Sequence, residues 1–307
     1  MLRIVSLISS ATEILHALGL GDHQVGRSHE CDFPPCVADL PVCTRPKFPV
    51  DGTSAEIDRL VRDALAEAGT VYDVFDDLLE SLRPTHIITQ RQCKVCAVSL
   101  DDVERALGAL SYTAPVVVAL EPNSLPDIWA DIRRVAAACG VVERGEKLVA
   151  ALQDRLLVLG AKTSHCGRRP RIACVEWIDP LMVAGNWVPE LVDLAGGVNL
   201  FGKAGEHSPP LPWKNFATED PDVIVAMPCG FDLARTRAEI DMAISRPEWV
   251  TLRAVRERQV YVTDGNQFFN RPGPRLVESV QILGEILHPD LFPGFLEGRG
   301  WQRVLQG

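Results

Sequence analysis

A chain of 307 residues and 33.7 kDa, 47% hydrophobic and 23% charged, is long enough for two domains of ordinary size, each with its own core. Against 41 Asp and Glu stand 31 Lys and Arg, a net charge of −10, and the basic stretch GRRPR (167–171) is short enough to read as a polar linker. The composition therefore argues against a nucleic-acid partner, and with no run of eighteen apolar residues it argues against membrane insertion.

The N-terminus, MLRIVSLISSATEIL, has a single basic residue and no apolar segment ending in a small-residue cleavage site. It also lacks a lipid-attachment Cys near the start. As the sequence stands it reads as cytoplasmic, and as periplasmic if a leader has been removed. Nine cysteines in a chain this large fit a reducing compartment better than a disulfide scaffold. Cys139 and Cys174 sit in apolar stretches and read as core residues. Cys36, Cys43 and Cys166 lie in loops or at strand ends with no evident role.

Strand-like runs alternate with helical patterns, the signature of an α/β sheet. In the first half the strands are expected at 3–7, 24–28, 40–44, 85–90 and 115–120. The helix after the first strand begins SATEIL, where Ser10 and Glu13 have capping-box spacing and Ile14, Leu15 and Leu18 share a face. From 124 to about 163 the periodicity is helical, broken only near Gly140, which gives one long connector or two abutting helices. Strands resume at 171–177, 181–185, 222–228 and 259–263, and a closing helix spans 274–287. The expected organisation is thus an N-terminal α/β lobe over 1–123, a connecting helix over 124–163 and a C-terminal α/β lobe over 164–307.

The halves echo each other. LRPTHIITQ (82–90) and EDPDVIVAMP (219–228) both run from a helix end through Pro into an apolar strand and a Cys-containing turn. PVVVALEPNSLPDI (115–128) and QVYVTDGNQFFNRPGPRL (259–276) both read strand, acidic residue, polar loop, helix. Such a repeat predicts two Rossmann-like lobes facing a central cleft, and open α/β sheets bind ligands beyond the carboxyl ends of their strands.

The loops at those ends should then be chemically unusual. The first is ISSATE (8–13), with Ser9 and Ser10 at a helix start suited to polar or anionic groups or simply to capping. SHECDFPP (28–35) carries His29, Glu30 and Cys31. TQRQCKVCAV (89–98) carries Gln92, Cys93 and Cys96. In the second half come Trp177, then Trp187, then Cys229, Gly230 and Phe231, and finally Asn266, Phe268 and Arg271. Aromatic side chains in Gly/Asn/Pro-rich loops point to a large, flat, partly apolar ligand, although each ring alone could equally be packed away.

The stretches SHECDFPP, QCKVCAVS, WVPELVDLAGG, PCGFDLART and GNQFFNRPGPR make the chain resemble, nearly end to end, the periplasmic-binding-protein-like family with a rigid helical backbone. Members of that family bind cobalamin or iron–siderophore complexes for ABC importers, and the cobalamin-binding branch is the nearer match. The resemblance implies two Rossmann-like lobes bridged by a long helix, little hinge motion, and a ligand contacted by Ser9, Ser10, Trp177, Trp187, Phe231, Asn266 and Phe268. It implies a corrinoid or similar metallo-ligand and an importer permease as partners, with no cofactor required. The missing leader sets this sequence apart from transported members.

The Cys-x-x-C pair remains open among several readings. Its surroundings do not match a thioredoxin-like unit, and one pair is too few for a zinc ribbon. Ligands gathered from separate strand ends, namely His29, Cys31, Cys93 and Cys96, would suit zinc, copper(I), iron or the axial face of a corrinoid cobalt. The plainer reading has the thiols packed as small polarizable groups. No Ser/His/Asp set, P-loop or G-x-G-x-x-G supports an enzyme. The expected function is therefore binding of a large metallo-ligand, most simply cobalamin or another corrinoid, as an importer component or cytosolic carrier. The alternative is a cytosolic metal- or thiol-dependent protein using the Cys/His cluster, with Glu30 beside His29 as a base.

Overall fold

A computed structural model describes residues 1–91, 98, 100–108, 112, 115–244 and 246–304. The chain divides into two compact units, the first comprising Met1–Gly52, Glu56–Pro122 and Pro126–Ala151, the second Thr53–Ala55, Asn123–Leu125 and Leu152–Gly307. The helical stretch expected at 124–163 is not a body of its own. It forms two helices separated at Gly140, whose positive φ of 74° ends the first.

In the first unit, β1 (Ile4–Ser6), β2 (Gln24–Arg27), β5 (His86–Gln90) and β6 (Val116–Leu120) form an all-parallel sheet in the order β2-β1-β5-β6. Their carboxyl ends therefore share one edge. α1 (Ser9–Ala17) follows β1, α4 (Leu100–Leu107) follows β5, and α5 (Leu125–Ala138) with α6 (Val142–Thr163) follow β6. Val5, Leu7, Ile87 and Val103 form the centre of a core closed off by Leu79 and Val98.

The strand expected at 40–44 is displaced. Pro41 has no N–H to give a ladder, so the segment makes only an isolated bridge to β2, with Arg27 N donating to the Pro41 carbonyl at 2.9 Å and Cys43 N to the Arg27 carbonyl at 2.7 Å. The true strand is β3 (Thr44–Pro46), which pairs antiparallel with β4 (Tyr72–Val74) in a separate ribbon. α2 (Ser54–Ala68) lies between these two strands in sequence, and α3 (Asp76–Leu82) follows β4.

The second unit is built on β7 (Arg171–Trp177), β10 (Val223–Ala226) and β11 (Val260–Thr263), which run parallel, with β12 (Trp301–Arg303) antiparallel at one edge. β8 (Met182–Val183) folds back on β7, and the short β9 (Val198–Asn199) also pairs with β7. α7 (Val188–Leu194), α8 (Trp213–Glu219), α9 (Leu233–Ala243), α10 (Pro247–Thr251), α11 (Arg253–Arg256) and α12 (Leu276–Leu287) complete it. Ile224, Ala226, Val260 and Val262 pack with Phe216 and Trp249 in its core. The repeat read from the sequence reappears in the pairing, because β5 beside β6 and β10 beside β11 are corresponding parallel neighbours in their own sheets.

Candidate functional site

Three of the second unit's parallel strands deliver their loops to one edge. After β10, the sequence Pro228–Cys229–Gly230–Phe231 makes a turn closed by Phe231 N donating to the Pro228 carbonyl at 3.2 Å, with Gly230 at φ 76°. That positive φ at the third turn position is why Gly stands there. Asp232 then caps α9 by accepting from Arg235 N at 2.8 Å. The loop after β11 lies close against this turn: a Cβ on Gly265 would meet the Pro228 carbonyl. Asn266 N donates to the Phe231 carbonyl at 3.1 Å, and Asn270 Nδ2 donates to that of Met227 at 2.9 Å.

Trp177, at the end of β7, meets Phe231 in a tilted contact with centroids 5.2 Å apart and planes at 56°, and the Arg235 guanidinium covers the same Phe ring at 3.8 Å. The Trp177 indole donates to the carbonyl of Ser54, a residue that clusters with this unit. Cys229 N donates to the Glu176 carbonyl at 3.3 Å. Arg271 donates to Asn266 Oδ1 at 3.0 Å, and Asp264 accepts from Gln267 N at 2.8 Å. Burial lifts the Asp264 carboxyl above its usual range against the pull of Arg271 and Arg275.

The structure thus brings Trp177, Cys229, Gly230, Phe231, Asn266 and Arg271 together, but it corrects the expectation of exposed aromatics. Phe231, Phe268 and Trp187 are 2%, 1% and 6% exposed. The Trp187 indole donates to the Phe269 carbonyl at 3.0 Å, which makes this ring a brace between α7 and the loop after β11. Only Trp177 among these rings keeps a partly open face. Arg271 too is buried, at 3%.

The first unit's edge has a different chemistry. α1 begins at Ser9 with Ile8 as its N-cap and no side-chain cap, so the capping box expected at Ser10 and Glu13 does not form. Ser10 lies inside the first turn, and among the described residues its buried hydroxyl has no hydrogen-bond partner. Beneath the edge runs a buried polar network. Thr12 Oγ1 lies 2.9 Å from Ser6 Oγ and 3.1 Å from Cys31 Sγ, which is 3.2 Å from Ser28 Oγ.

Cys31 is consequently a core thiol, 1% exposed, and burial raises its pKa. His29 is placed differently. Its backbone N donates to Thr44 Oγ1 at 3.1 Å, its Nδ1 sits 2.8 Å from the same oxygen, and its ring leans on Tyr72 at 5.3 Å. Burial first and Arg27 second push its pKa down to about 4, so the ring is neutral near pH 7. Arg27 pins the loop by donating to the carbonyls of Ser28, Cys31 and Ala38 at 3.2, 3.1 and 3.0 Å. Glu30 N donates to Ser28 Oγ at 3.3 Å. Across the other end of this edge, Arg91 pairs with Glu121 at 2.9 Å.

Gln92, Cys93 and Cys96 lie outside the described residues. Among the described residues no group of three or more His, Cys, Asp or Glu side chains is arranged for a metal ion, and no helix is long and apolar enough to cross a membrane. Sequence reasoning passed over Asp131, buried on α5, which accepts from Glu121 N at 3.0 Å and pairs with Arg134. Burial pushes it up to about 7 in spite of both donors. Its position nearly two helix turns into α5, within a regular helical pattern, left no signal in the sequence.

Comparison with known proteins adds three findings. A family model described as periplasmic binding protein matches residues 4–266. The vitamin B12-binding protein of Vibrio cholerae serotype O1 is 22% identical over 282 residues, covering 91% of this chain and 86% of its own. An uncharacterized ABC transporter substrate-binding lipoprotein of Bacillus subtilis is 23% identical over 297 residues, covering 94% and 81%. Among solved structures, a periplasmic heme-binding protein from Pseudomonas aeruginosa superposes with a TM-score of 0.72 at 20% identity, covering 99% of this chain and 98% of that one; the likeness is one of fold.

Proposed function

Because the chain belongs to the periplasmic binding protein family, we propose that it is the substrate-binding component of an ABC importer and that its ligand is a cobalamin-like corrinoid. The observation that carries this reading is the end-to-end likeness to a vitamin B12-binding protein, over 91% of the chain, in a molecule whose strand-end loops hold a partly open Trp177 ring and a fixed His29 imidazole. Both suit a large ligand that is flat and apolar on one surface and metal-bearing at its centre. The same family membership supports the proposal of a binding rather than catalytic role, a permease partner and an extracytoplasmic place of work, in keeping with relatives named as periplasmic or as lipoprotein. Ser9, Glu30, Cys229, Gly230 and Asn266 are proposed to border the ligand.

Heme is the second reading, favoured by the fold of the heme-binding neighbour. Calorimetric titration of the purified protein with aquocobalamin and, separately, hemin tests both. Tighter binding of aquocobalamin is the expected result. Tighter binding of hemin moves the assignment to heme, and the absence of heat, spectral change and thermal stabilisation with either probe contradicts the proposal. At a ligand concentration of 100 times Kd the stabilisation should reach about 2.7 kcal/mol.

A further inference from the structure

His29 combines four properties that rarely meet without purpose. First, its backbone and its Nδ1 are both tied to Thr44 Oγ1, and Tyr72 supports the ring face, so the imidazole is held in one orientation. Second, Thr44 is itself fully buried on β3 and Arg27 staples the loop at three carbonyls, so the frame holding the ring is rigid. Third, among the described residues Nε2 meets no protein partner, while the side chain is only partly buried. Fourth, the ring stands in the loop directly after β2, at the carboxyl edge of the parallel sheet. One nitrogen fixed by an outer partner and the other left open is the arrangement that orients a metal-binding histidine.

Among the described residues no group of three or more His, Cys, Asp or Glu side chains surrounds the imidazole. A lone imidazole can complete the coordination of a metal only if the other positions are already filled. Building on the binding function proposed above, we propose that His29 Nε2 is an axial ligand to the metal of an incoming metallomacrocycle, and that the protein thereby selects macrocycles whose axial position is exchangeable. With Nδ1–H donating to Thr44 Oγ1, the Nε2 lone pair forms the metal–nitrogen bond as the axial water leaves. No electron is transferred and no proton is lost. A ligand whose axial position is blocked by cyanide gains nothing from His29, whereas one carrying axial water does.

Absorption titration of the purified protein with aquocobalamin, cyanocobalamin and hemin reads this directly, with zinc chloride alone as a fourth probe. The expected result is that bound aquocobalamin or hemin takes on the spectrum of its imidazole adduct. His29→Ala should lose that spectrum and bind on the order of 10- to 100-fold more weakly. Free imidazole should restore the spectrum in the variant, and cyanocobalamin binding should be the same in both proteins. Thr44→Val, which keeps Nε2 but frees the ring, should retain the adduct spectrum at lower affinity. A wild-type complex that keeps water, rather than imidazole, at the exchangeable axial position overturns the inference even if His29→Ala fails to fold, and so does zinc held stoichiometrically through His29. In those cases the binding function stands. If no macrocycle binds at all, that function falls and the inference with it.

Discussion

The two sheet edges solve the same topological problem with different chemistry. In the second unit the edge is aromatic: Phe231 touches both Trp177 and the Arg235 guanidinium, while Trp187 and Phe268 are buried. In the first unit the edge is small and polar, with hydroxyls and a thiol in a buried network and one imidazole held above it. The difference teaches that an aromatic loop residue and a cysteine in a functional-looking motif can both be scaffold. What marks a candidate contact is the group that the scaffold leaves partly open, Trp177 in one unit and His29 in the other.

The comparison breaks most visibly at Trp187. Its truncation removes a buried ring and leaves the Phe269 carbonyl unpaired, so Trp187→Ala should cost about 3–5 kcal/mol in chemical denaturation. A loss below about 1 kcal/mol would show that the ring is not the brace described. Trp177→Ala should behave in the opposite way, lowering ligand affinity by about 2 kcal/mol, roughly 30-fold, with a smaller stability loss. Unchanged affinity in calorimetry would remove Trp177 from the site.

Asp131 sharpens the comparison on the polar side. Its folded pKa is raised to about 7, against an ordinary unfolded value of about 3.9, so between those limits the native state binds more protons than the unfolded one. Its contribution is therefore most favourable at low pH and is lost as pH rises through about 7. Asp131→Asn should flatten that part of the stability profile, by about 1–3 kcal/mol between pH 5 and pH 8. A profile unaltered by the substitution would mean that Arg134 and the Glu121 amide, not burial, set the charge. The smallest effect concerns the thiols: Cys36 is exposed and Cys31 and Cys43 are buried, so a thiol reagent should label Cys36 before Cys31 and Cys43 in the native protein. Equal labelling would contradict the polar network.

Much of the framework was legible in the sequence because apolar runs bounded by Gly and Pro mark parallel strands well; β1, β2, β5, β6, β7, β10 and β11 all lie within the expected ranges. β9 and β12 were not foreseen, since two or three residues carry no alternation, and β3 was misplaced by the prolines around it. The site was legible as a set of loops but not as a set of contacts. Trp187 is tied to a carbonyl 82 positions away, and Cys31 to the hydroxyls of Thr12 and Ser28 and the carbonyl of Ser6, partnerships that no strand or helix periodicity records. The Cys-containing turn expected after the strand at 222–228, by contrast, does form, with Gly230 at its third position.

The central claim, that this family member holds a corrinoid, is tested most directly by equilibrium dialysis of the purified protein against aquocobalamin with hemin as the competitor. The account predicts one equivalent of corrinoid retained and not displaced by equimolar hemin. Retention of no corrinoid, or its complete displacement by hemin, would contradict it.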